Sequence, residues 1–145
     1  MPFRNIAHIA GSAMNAQSVR LNTIASNLAN AGTAAGNEAE VYRARKPVFA
    51  AIFERSTAEA FGERGAPAGA AVQVLDVVQS TEPLRRVYEP DHPLANEEGV
   101  VFYSNVNPVA EMTDMMDAAR AFETNVEVLG RVQSMQQSLL RLGQE

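Results

Sequence analysis

The chain has no cysteine and no tryptophan, only 6% of its residues are aromatic, and just two are histidine. Each shortage removes a class of chemistry. Without thiols there are no disulfides, iron–sulfur clusters or thiolate zinc sites, and the redox state of the compartment is left open. His8 and His92 lie in different segments, and neither has a second histidine three or four residues away, as a helical metal site requires. Basic charge is also short. Lys and Arg number 12 against 17 Asp and Glu, for a formal net charge of -5. A surface of that sign repels phosphate, so neither nucleic acid nor an anionic membrane is an expected partner. No apolar run approaches the roughly 20 residues that span a bilayer. The opening MPFRNIAHIAGSAMNAQ is interrupted by Arg4, Asn5 and His8 and lacks the unbroken apolar core of a cleaved secretory signal. The expectation is a soluble chain, either cytoplasmic or exported by a route that removes no hydrophobic leader.

What is present is helical periodicity at both ends. Phe3, Ala10, Gln17, Ile24 and Ala31 are seven apart, and so are Ala7, Met14, Leu21 and Leu28. Together they predict a helix with a heptad seam whose one polar member is Gln17. The seam is narrow and its flanks are Asn, Ser, Gln and Arg, so this helix needs a partner helix. Within RLNTIASNLANAGT, residues 20 to 33, Asn22, Asn27 and Asn30 fall among the seam residues. Asparagine is a poor helix former because its amide competes for backbone hydrogen bonds. The three amides are expected to bond to neighbouring helices and fix register, as a polar seam residue does in a coiled coil.

At the other end, Asn107 and Pro108 read as a cap and a first helical position. Met112, Met115, Ala119, Phe122, Val126 and Leu129 then step by three and four, and the stripe drifts on to Val132, Met135, Leu139 and Leu142. A helix of some 35 residues would be about 52 Å long, too long for a compact domain of this size. Between the ends the composition changes. VYRARKPVFAAIF, VQVLDVV (72–78), PLRRVYEP (83–90) and GVVFYS (99–104) are strand candidates, although Pro47 argues against a central strand position. ERSTAEAFGERGAPAGAA reads as a flexible loop over 54–70, and EPDHPLANEEG as turns. The fold class expected is α+β: long N- and C-terminal helices pairing as an antiparallel coiled coil, with a small β-rich middle domain. The divisions fall at 1–33, 34–104 and 105–145.

No catalytic spacing emerges. Asp91 beside His92 is a fragment of a triad without a serine in a G-x-S-x-G context, and no glycine-rich loop carries a Lys-Ser or Lys-Thr. Glu97 and Glu98 are adjacent, so an extended backbone points them to opposite faces. Arg43, Arg45 and Lys46 suit an acidic partner surface, and Met112, Met115 and Met116 suit a core or an adaptable interface. An enzyme built on the Asp91–His92 loop is the weakest of the readings considered.

SAMNAQSVRLNTIASNLANAGT, Ser12 to Thr33, resembles the N-terminal signature of the bacterial flagellar axial proteins of rod and hook. VYRARKPVF and, more specifically, VYEPDHPLANEEGVVFYSNVNPVAEMTDMMDAARAFETNVEVL resemble the short proximal-rod subunits of that family. There an acidic-His-Pro loop leads to an A-N-x-E-G turn, a strand, N-V-N and the last helix. Here these are Asp91-His92-Pro93, Ala95 to Gly99, and Asn105-Val106-Asn107. The likeness covers most of the chain, is specific from 84 to 130 and is weak over 54–70. AGTAAGNEAEVY departs from the family's usual Asn-Thr-Thr break, and Met14 stands where Leu is usual.

The resemblance implies a structural rod subunit that carries torque from motor to hook across the periplasm, with no cofactor and no catalytic residue. Its implied partners are other rod proteins, copies of itself, adjoining basal-body components and the flagellar type III export apparatus. Its termini would be disordered before assembly and helical in the rod. The assembly interface is expected on Leu21, Ile24, Asn27, Leu28 and Asn30 of the first helix. On the C-terminal side it is expected on Asn105, Asn107, Met112, Met115, Phe122, Val126 and Leu129. A helical-hairpin component of another secretion or interaction apparatus is the alternative.

Overall fold

A computed structural model describes residues 2–54 and 69–143. It is α+β, with two helices and a central β region, as expected. In order, the elements are α1 (Pro2–Ala29), β1 (Ala34–Ala35), β2 (Arg45–Glu54), β3 (Gly69–Gln79), β4 (Arg85–Tyr88), β5 (Val100–Tyr103) and α2 (Pro108–Leu142). Most of the loop expected over 54–70 lies outside the described residues. Its two ends are strand, because Glu54 closes β2 and Gly69 opens β3.

The helix boundaries follow from capping chemistry. Asn107 Oδ1 accepts the backbone N–H groups of Val109 and Ala110 at 3.1 and 3.3 Å, which meets two of the orphan donors of α2. Glu111 in the first turn and Arg141 in the last complement the helix dipole. Helix α1 stops at Ala29, short of the expected Ala31. The next N–H groups turn back tightly, Asn30 to the Asn27 carbonyl and Ala31 to that of Leu28.

The chain divides into two compact units. One comprises Met1–Val19, Val48–Asp76 and Ala118–Glu145; the other comprises Arg20–Pro47 and Val77–Asp117. In the first unit the buried apolar side chains are small: Ala10, Ala16, Ala118 and Val132. Short side chains let backbones approach closely, which is the use of the chain's abundant alanine. Phe3 of α1 lines one shallow pocket with Ser134, Met135, Ser138 and Leu139 of α2. Ser12 Oγ donates to the Ile9 carbonyl at 2.8 Å and accepts the Val72 N–H at 3.0 Å, so α1 holds the backbone of β3. Gln17, the polar seam member, buries its Oε1 without a hydrogen-bond partner among the described residues. Such a group typically costs about 1–3 kcal/mol.

In the second unit β1, β5 and β4 form an antiparallel sheet in that spatial order. The register pairs Arg86 with Phe102 and Val87 with Val101. Val41, Leu84 and Phe102 form its core, packed by Ala35 and Val100, and Val101 is fully buried. Gly99 has a φ of 71°, and a Cβ there would come within 3.2 Å of Pro90. A non-glycine residue at that turn would be strained on both counts. Arg20 Nη2 of α1 meets Asp114 Oδ1 of α2 at 3.2 Å. Both side chains are partly exposed, so this pair orients more than it stabilises.

The strand expectations hold for β2 to β5 with shifted ends: β4 and β5 are shorter than expected, β3 is longer at both ends, and β2 starts and ends later. Among the described residues β2 and β3 form a sheet of two strands, so β2 keeps a free edge and tolerates Pro47. Residues 41–44 are not strand, since Val41 turns into the core. The stretch AGTAAGNEAE is more than a break, because Ala34 and Ala35 pair with Tyr103 and Phe102.

Candidate functional site

The structure separates two kinds of residue within the expected interface. The first kind is used up inside the chain. Asn27, with 1% of its surface exposed, donates from Nδ2 to the Arg45 carbonyl at 2.8 Å. Its Oδ1 accepts the Arg45 N–H and the Tyr42 hydroxyl, both at 2.9 Å. The side-chain amide thus reads the Arg45 backbone as a neighbouring strand would. This corrects the expectation that Asn27 bonds to a neighbouring helix, and the reason is reach: the end of α1 lies against the start of β2. Asn30 also stays within its own segment, donating to the Ser26 carbonyl at 2.8 Å. Asn22 is exposed. Asn105 donates from Nδ2 to the Glu82 carbonyl at 3.0 Å and accepts the Ala44 N–H on Oδ1 at 2.7 Å. Asn107 is the cap of α2. Tyr42, Ser26 and Ser12 carry bonds that periodicity does not single out, because a hydroxyl's partner is invisible until the chain has folded.

The second kind is the apolar side chains, which divide between the inside and the surface. Ile24 is buried and Leu21 and Leu28 are half-buried, yet on α2 the buried line is Glu111, Ala118 and Val132, with Asn125 half-buried between them. These residues are seven apart. Met112, Ala119 and Val126 of the expected stripe lie one position round the helix from it, and the stripe meets the buried line at Val132. Met115, Phe122 and Leu129 are half-buried, whereas Met112 and Val126 are 56% and 47% exposed. Met116, Met135, Leu139, Leu140 and Leu142 are exposed as well. The subunit buries the smaller side chains of α2 and leaves the larger ones uncovered.

The loop from Glu89 to Gly99 is built from its own bonds. Asn96 Oδ1 accepts the N–H groups of Glu98 and Val100, and Glu89 N–H donates to the Gly99 carbonyl at 2.9 Å. His92 Nδ1 accepts the Leu94 N–H at 3.1 Å, so this imidazole shapes a turn. Among the described residues no group of three or more His, Asp or Glu side chains could hold a metal ion, and no helix is long and apolar enough to cross a membrane.

Among the described residues one ionisable group is perturbed. The Tyr103 hydroxyl donates to Glu89 Oε2 at 2.9 Å. That bond first, then burial and the Glu89 charge, raises the phenol above its ordinary 10.0, while Arg85, stacked 4.7 Å over the ring, opposes the shift. The fold therefore prefers the neutral phenol. The stability this preference contributes is fully present below about pH 10, where the unfolded phenol is neutral too, and is lost as pH rises through the folded-state value. Tyr103→Phe should cost little at pH 7, because it removes a single partly exposed hydrogen bond. It should also flatten the loss of stability above about pH 10, measured by chemical denaturation across that range. An unchanged alkaline limb would show that the Glu89 contact does not govern it.

Residues 8–34 match the family model of the flagella basal body rod protein, and residues 97–142 match that of the flagellar basal body rod FlgEFG protein C-terminal region. Both ends of the chain are thus those of a flagellar rod protein. The flagellar basal-body rod protein FlgC of Escherichia coli O6:H1 is 45% identical over 144 residues, covering 99% of this chain and 100% of that protein. That of Salmonella typhimurium is 43% identical with the same coverage. That of Bacillus subtilis is 31% identical over 143 residues, covering 94% of this chain and 95% of that protein. The chain belongs to the FlgC family of flagellar basal-body rod proteins. It is a structural subunit of the rod, and His92 serves the turn of the Asp91–His92 loop.

Proposed function

We propose that the subunit builds the proximal rod by pairing its terminal helices as an antiparallel coiled coil and presenting their outer faces to neighbouring chains. The observation that carries this reading is the outward face of α2. A helix of 35 residues leaves Met112, Met116, Val126, Met135, Leu139, Leu140 and Leu142 exposed. So long an apolar stripe marks a surface that is covered in the working assembly. The pairing is supported by the Arg20–Asp114 contact and by the pocket that Phe3 shares with Met135 and Leu139. The first joins the later part of α1 to the start of α2, and the second joins the start of α1 to the later part of α2, as antiparallel helices do.

The partners are other rod proteins, copies of this chain and adjoining basal-body components. The residues that face them include Leu21, Leu28, Met112, Met115, Phe122, Val126 and Leu129. The subunit reaches the periplasm through the flagellar type III export apparatus, and its terminal regions order on incorporation. Folding on association suits seams that are too thin to be stable alone. Within the rod, the helical ends 1–33 and 105–145 supply lattice contacts and 34–104 a small β-rich body, so that torque passes from motor to hook through packed helices. A strain deleted for the chain should be non-motile and yield no complete rods, with both restored by the wild-type chain. A deletion strain that swims and yields intact rods would overturn the proposal.

A further inference from the structure

The dipeptide Ala44–Arg45 has all four of its backbone polar groups paired. Ala44 N–H donates to Asn105 Oδ1 at 2.7 Å and the Ala44 carbonyl accepts Ser80 N–H at 2.7 Å. Arg45 N–H donates to Asn27 Oδ1 at 2.9 Å, and the Arg45 carbonyl accepts Asn27 Nδ2 at 2.8 Å. Three of these four bonds come from side-chain amides. One amide belongs to the end of α1 and the other to the segment that leads into α2. Asn27 is oriented in turn by the Tyr42 hydroxyl, which also meets Ser26 Oγ at 3.2 Å. Ala44 is 5% exposed, so water is a poor substitute at that position.

We propose that Ala44–Arg45 is a latch through which the two terminal segments order each other. Asn27 and Asn105 stand far apart in sequence, yet they grip adjacent residues of one short stretch. If the end of α1 is unformed, Arg45 loses both partners and the stretch is free to move. Ala44 N–H then no longer meets Asn105, and the lead-in to α2 is loosened. The converse holds when Asn105 lets go. Neither terminal segment is fully placed without the other.

This latch rests on the reading that the terminal regions order on incorporation, and it names where their ordering is coupled. The test is hydrogen exchange at the Ala44 and Arg45 amides in the full chain, free and in purified rods. Asn27→Ala should speed exchange about tenfold at Ala44 N–H, whose own acceptor on Asn105 is untouched. Asn105→Ala should do the same at Arg45 N–H. Tyr42→Phe, which removes a single hydroxyl, should give a smaller acceleration at both amides and serves if Asn27→Ala fails to fold. If each substitution affects its own amide alone, or if neither amide is protected in rods, the latch is overturned. Equal protection in free chain and rod, with the cross effects present, would support the latch and refute ordering on incorporation.

Discussion

Asn27→Ala is expected to destabilise the folded subunit by about 3 kcal/mol, since it removes three hydrogen bonds made by a side chain that is itself 1% exposed, at roughly 1 kcal/mol each. That is more than about a hundredfold in the folding equilibrium. The Arg45 backbone loses both of its bonds, and the Tyr42 hydroxyl loses its acceptor. The other two asparagines of the segment set the scale. Asn30→Ala removes one bond at the end of α1 and should cost about 1 kcal/mol. Asn22→Ala, at an exposed helical position, should be neutral or slightly stabilising, because alanine is the better helix former. Urea denaturation of rods assembled from each of the three variants checks the order. Equal effects at positions 22 and 27 would mean that the clasp on Arg45 carries no weight.

Met112→Glu is expected to act in the opposite place. Met112 is 56% exposed in the subunit. The substitution should therefore change subunit stability by no more than about 0.5 kcal/mol. Covered by a neighbouring chain, the same carboxylate would lose its water without gaining a partner, at a cost of several kcal/mol. Rod assembly and motility should fail while the purified chain melts normally, and Met112→Leu should restore both. Normal rods in Met112→Glu would show that this face of α2 is not buried in the assembly. Together the two substitutions separate what holds the subunit from what holds the rod.

The helices are legible in the sequence because their signals are local. Asn107 and Pro108 mark the start of α2, and a stripe stepping by three and four carries it to Leu142. The inward face is less legible. Hydrophobicity picks out Val132, which is buried, but it also picks out Met112 and Val126, which are exposed, and it misses Glu111 and Ala118, which turn inward. A pattern of apolar residues tells that a face is covered, not whether the cover is the same chain or another. Strand β1 is illegible because alanine has little strand preference, and Ala34 and Ala35 are extended only through their pairing with β5. The amide bonds are hidden for a related reason: Asn27 finds Arg45 across 18 positions and Asn105 finds Ala44 across 61. Type and spacing flag these asparagines as unusual; only the fold names their partners.

The central claim is that this chain is a rod subunit whose terminal helices are packed among neighbours. Electron cryomicroscopy of basal bodies isolated from the parent organism tests it most directly. Rod density should fit α1 and α2 as an antiparallel pair, with Met112, Val126 and Leu140 covered by adjacent chains. Density for this chain outside the rod, or a rod in which those side chains face open solvent, would contradict it.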